Sequence, residues 1–177
     1  MKTLFIRRNI NWKDTPRSAF MAMILLLGCS LSSGIAHSQE GEAPKDLKFV
    51  KAVIDFRTGD PKKALIYLTL IGDTFRDRNL QTETRHPDFV VNFGGESVKL
   101  LAKDTKGYSP DEQKTIGQIK DKISALAKEG MKFEYCVYGG KLFGVEPANV
   151  PGVSVVDNGW VTVIGYQASG YSLVPAY

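Results

Sequence analysis

Apolar residues crowd into short blocks, separated by stretches in which they recur every three or four positions. Residues 47–56 hold Phe49, Val50, Val53, Ile54 and Phe56, too dense for a sheet with one wet face. Such a run predicts a parallel strand covered on both sides. Residues 89–93, the stretch opening at Phe133, residues 153–156 and residues 171–174 predict further strands. Between them, Ala64, Leu68, Ile71 and Phe75 fall on one helical face, as do Ile116, Ile119, Ile123 and Leu126. Asp60-Pro61 starts the first of these helices with a cap and a proline at the first helical position. Ser109-Pro110-Asp111-Glu112 starts the second with a capping box, and Gly130 stops it. Shorter helices are expected over 97–103 and 160–168. Strands alternating with helices predict an α/β fold, a parallel sheet with helices on both faces.

The amino-terminal segment breaks this pattern. Lys2, Arg7, Arg8, Lys13 and Arg17 precede an apolar run at 19–27, which weakens toward Ala36-His37-Ser38. A basic leader, a short apolar centre and a small-x-small ending predict a secretory signal over 1–38. The alternative is a lipobox at Leu26-Leu27-Gly28-Cys29, with Cys29 lipidated as the mature terminus and tethered to a membrane. Residues 39–46 read as a flexible lead-in and residues 47–177 as one α/β domain. A periplasmic or otherwise exported protein is the expectation.

The leader also changes the charge. It holds five of the 23 Lys and Arg and one of the 19 Asp and Glu, so the remainder balances at 18 of each. No basic face is left to predict nucleic-acid binding. No polybasic run predicts an anionic membrane surface as partner either.

Beyond residue 38 there is one cysteine, Cys136, which excludes an internal disulfide in that portion. It closes the strand that opens at Phe133, just before Gly139-Gly140 and an expected helical turn at Lys141-Leu142-Phe143. Ligands collect outside the carboxyl ends of strands in open α/β sheets, and a helix amino end there favours a thiolate. Cys136 is therefore the candidate nucleophile. Arg57 and Asp60, in the loop after the first strand, share that sheet edge. Gly94-Gly95, Tyr138, Gly139, Gly140 and Lys141 complete the candidate pocket lining. Neither a zinc cluster nor a phosphate or dinucleotide glycine fingerprint is present, so no metal and no cofactor is expected.

The segments G-M-K-F-E-Y-C-V at 130–137, L-F-G-V at 142–145, V-P-G-V-S-V-V at 150–156 and G-Y-S-L-V-P at 170–175 resemble the DsrE/DsrF-like family of small sulfur-relay proteins. K-F-V-K-A-V-I-D-F with Asp60-Pro61, and N-F-G-G-E-S-V-K-L-L, extend the likeness. The resemblance implies a single-domain, three-layer α/β/α sandwich around a mostly parallel five-stranded sheet. It also implies homo-oligomers such as trimers or hexamers. A cysteine at the position of Cys136 would carry a persulfide between a sulfur donor and an acceptor protein. The other reading is a non-enzymatic oligomeric module that binds a small ligand or a protein and holds Cys136 as a buried structural thiol.

Overall fold

The structure is a computed structural model that describes residues 49–81 and 86–177; the expected signal over 1–38, with Cys29, and the expected lead-in over 39–46 lie outside the described residues. In chain order come β1 (Lys51–Phe56), α1 (Pro61–Arg76), β2 (Asp88–Phe93), α2 (Pro110–Lys128) and β3 (Lys132–Cys136). Then follow α3 (Val137–Phe143), β4 (Val153–Val156), α4 (Gly159–Ala168) and β5 (Ser172–Ala176), with 3-10 turns at Arg78–Leu80 and Gly95–Leu101. The sheet is parallel throughout, in the order β4-β3-β2-β1-β5. This is an α/β sandwich.

Connection handedness accounts for the layers. From β1 to β4 each strand is laid beside the last, moving one way across the sheet. The link from β4 to β5 then returns across it to the opposite edge. With right-handed crossovers throughout, α1 and α2 cover one face and α4 must cover the other.

The first face is apolar. Ala52, Ile54, Phe56, Phe89, Val91, Phe93, Phe133 and Tyr135 pack against Leu68 and Phe75 of α1 and against Ile116, Ile119, Ile123 and Leu126 of α2. The helices begin as their caps predict. Asp60 Oδ1 accepts from Lys63 N at 2.8 Å, and Ser109 and Glu112 form the capping box.

The second face is largely polar. Its apolar cluster holds Val53, Val90 and Val163, flanked by Tyr166 and Tyr171. The strand register aligns Asp55, Asn92 and Glu134 in one row across β1, β2 and β3, under α4. Asn92 is fully buried; its Nδ2 donates to Glu134 Oε2 at 2.9 Å and to Thr162 Oγ1 at 3.1 Å. The Tyr166 hydroxyl donates to Glu134 Oε1 at 2.7 Å. Burial, then that bond to Glu134, pushes the Tyr166 phenol up. Toward the amino ends of the strands, Tyr171 donates to Asp88 Oδ2 at 2.8 Å, and burial followed by this bond pushes it up to about 12.

Several boundaries differ from expectation. Strand β1 begins at Lys51, so Phe49 and Val50 lie ahead of it. Helix α3 starts at Val137, so Gly139 and Gly140 lie within it instead of breaking the chain before Lys141. Gly140 is there because the Tyr135 hydroxyl crosses the place a Cβ would take, on its way to Val145 O at 3.2 Å. The segment at 97–103 is a 3-10 turn over Gly95–Leu101, tied down by the buried Ser97 hydroxyl, which donates to Phe56 O at 2.7 Å. Strand β5 runs on to Ala176, because an edge strand tolerates Pro175.

Candidate functional site

The carboxyl end of β3 delivers Cys136 to the point where two helices begin. As the cap of α3, its Sγ accepts the Gly139 N–H at 3.3 Å. The same sulfur accepts the Gly159 N–H, at the first residue of α4, at 3.2 Å. The two helix starts are stitched together by Tyr138 N donating to Asp157 O at 2.9 Å. Asn158 caps α4 by accepting from Trp160 N at 3.0 Å. Two N–H groups from two helix starts thus converge on one sulfur.

Gly159 is held against the polar row. A Cβ on it would stand 2.5 Å from Asn92 Oδ1, and Thr162 Oγ1 donates to Gly159 O at 2.9 Å. The chain Tyr166–Glu134–Asn92–Thr162 thereby sets the first turn of α4 and the N–H that meets Sγ.

Cys136 is 6% exposed and lines a cleft of about 310 Å³ shared with Arg57, Gly95, Tyr138, Gly139, Leu142, Asn158 and Trp160. Of the residues singled out from the sequence, Arg57, Gly95, Cys136, Tyr138 and Gly139 meet there. Asp60, Gly94, Gly140 and Lys141 are not among the lining residues. Asp60 is spent on its cap, Gly140 is filled by Tyr135, and Lys141 is exposed. Gly94 lies beneath the Arg57 guanidinium: a Cβ there would collide with Nη1 and sit 2.9 Å from Cζ. The glycine pair thus seats an arginine. On the open side, the Trp160 ring lies 5.9 Å from Arg57 Cζ, and Asp55 forms an ion pair with the same guanidinium.

Leu142, Asn158 and Trp160 were not anticipated as lining, nor were Asn92 and Glu134 as supports. Their signal was present. I-D-F, V-N-F and F-E-Y each set one polar residue before an aromatic at the end of an apolar strand. A polar residue inside a two-sided strand needs a buried partner.

A larger groove, about 340 Å³, opens between α1 and β5, but apart from Tyr67 and Thr74 its lining side chains are apolar. Among the described residues no group of three or more His, Cys, Asp or Glu is placed to hold a metal ion. No helix among them is long and apolar enough to cross a membrane.

No protein-family model matches the chain. An uncharacterized protein of Aquifex aeolicus (strain VF5) is 27% identical over 130 residues, covering 71% of this chain and 56% of the relative. The chain therefore spans little more than half the length of that relative. Among solved structures, MTH1491 of Methanobacterium thermoautotrophicum, described as a protein of unknown function, superposes with a TM-score of 0.51 at 18% identity. It matches 71% of this chain and 98% of its own, a likeness of fold.

Proposed function

We propose that this protein carries sulfane sulfur on Cys136, as an exported member of the DsrE-like sulfur relays. The observation that supports this reading is the pair of N–H groups, from Gly139 and Gly159, directed at a sulfur that borders a cleft. Thiolate attack on the sulfane sulfur of a donor breaks the donor's S–S bond, whose electron pair leaves with the rest of the donor, and a persulfide is left on Cys136. An acceptor thiol then takes the outer sulfur and regenerates the thiolate. The chemistry needs no metal or organic cofactor.

The low exposure of Cys136 favours one rival, a structural thiol in a binding module. Mass spectrometry of the full chain after treatment with inorganic polysulfide separates the two. The sulfur-relay reading expects the mass of one added sulfur atom on the Cys136 peptide of native protein, removed again by a small acceptor thiol and absent in Cys136→Ala. Modification of Cys136 only after denaturation would overturn it in favour of the rival.

A further inference from the structure

The charge in the cleft is distributed in a way the proposed transfer does not by itself require. Among the lining residues, Arg57 is the one with a full formal charge; the others are Cys136, two glycines, Tyr138, Leu142, Asn158 and Trp160. Its guanidinium is clamped. Gly94 lies on one side so closely that no side chain fits, and the Trp160 ring lies over the other at 5.9 Å. The backbone is pinned as well, Arg57 N donating to Ala176 O at 2.9 Å.

Asp55, two residues back on β1, holds the group from the sheet side without lining the cleft. That pair is one of charge and not of alignment: neither Asp55 Oδ1 nor Arg57 Nη2 finds a hydrogen bond of acceptable geometry. Nη2 is buried against Asp55, so a ligand in the cleft could meet only the remaining N–H groups of the guanidinium. A guanidinium cation that shares a cleft with a thiol matches a carboxylate or sulfonate-type oxyanion.

We infer that Arg57 makes the Cys136 cleft selective for anionic reactants, and, on the sulfur-relay reading above, that the donor is a small compound bearing an oxyanion beside its sulfane sulfur. A thiosulfonate anion is the simplest chemistry of this class. The Cys136 thiolate attacks the outer sulfur, and a new S–S bond forms as the S–S bond of the donor breaks. The bonding pair leaves on the sulfinate, and Cys136 keeps a persulfide anion. Two anions enter and two leave, so no separate oxidant or reductant is consumed. Arg57 offsets the repulsion between thiolate and donor and holds the departing sulfinate.

Iodoacetate and iodoacetamide test this, because they perform the same alkylation and differ in charge. Rates are read at the Cys136 peptide of the full chain, since Cys29 also carries a thiol. The ratio of iodoacetate to iodoacetamide rate should exceed that of an unstructured cysteine peptide by about tenfold, the effect of one charge-assisted hydrogen bond. Arg57→Gln should bring the ratio down to the peptide value, with an unchanged urea midpoint as the check on folding. If Arg57→Gln fails that check, Arg57→Lys, which keeps the charge and loses the fork, carries the test with an intermediate ratio expected. In transfer from the methanethiosulfonate anion, Arg57→Gln should raise KM more than it lowers kcat.

A wild-type ratio equal to that of the peptide, or one indifferent to either variant, overturns the selectivity of Arg57. In that event the sulfur-relay reading stands if Cys136 still reacts with both reagents. Native Cys136 inert to both overturns the relay reading and the selectivity with it.

Discussion

One face of the sheet meets two long helices through phenylalanine, isoleucine and leucine; the other meets the ten residues of α4 across a polar row of Asp55, Asn92 and Glu134, the last two buried. Both faces are dry, but they are dry for different reasons. The first removes apolar area from water, which is non-directional and tolerates small shifts. The second ties Asn92 to Glu134 and Thr162, and Tyr166 to Glu134, with bonds of fixed length and angle, so it holds α4 in one place. Helix α4 needs such placement because the Gly159 N–H must reach Cys136 Sγ. The apolar face accounts for stability, and the polar face for the position of the helix start at the thiol.

That contrast can be broken most directly on the apolar side. Phe133, 1% exposed at the centre of the core, should cost about 3–5 kcal/mol when replaced by alanine, read as a shift in urea midpoint with unchanged slope. A loss below about 1 kcal/mol would move the source of stability elsewhere.

The next largest effect sharpens the polar side. Asn92→Leu leaves the Glu134 carboxylate short of a donor in a dry site and should cost about 1–3 kcal/mol. Asn92→Leu combined with Glu134→Met should cost less than Asn92→Leu alone, because no buried charge is then left unpaired. If the double variant is the less stable of the two, the row contributes stability in its own right and the contrast with the other face fails.

The smallest effect is a slope in alkali. Tyr171 holds its proton more tightly folded than unfolded, through burial first and its bond to Asp88 second. Its contribution is complete below the ordinary tyrosine range near about 10 and drains away as pH rises toward the folded value of about 12. Tyr171→Phe should therefore flatten the fall in stability across that window. An unchanged slope would mean that Tyr171 loses its proton as it would in the unfolded chain.

Much of the scaffold was legible because its signals are local. Asp60 followed by Pro61, and Ser109 followed by Glu112, cap helices through bonds that span three residues. Asp55, Asn92 and Glu134 stood out only as isolated polar residues in apolar strands. Nothing local says that they share a row, since register is set by pairing strands far apart in sequence. Gly94 was legible as a turn or an anion cradle, but that it seats Arg57 depends on β1 and β2 being neighbours. Trp160 enters the cleft because α4 returns across the sheet.

Taken alone, the sequence determined the alternation of strands and helices, the helix starts and the one thiol beyond residue 38, because period, capping and composition act within a few residues. Only the tertiary structure decided that this thiol meets two helix starts and shares its cleft with a clamped arginine. Those meetings join Arg57, Cys136 and Gly159, which are remote along the chain, and they exist once the crossovers have chosen their faces and the strands their order.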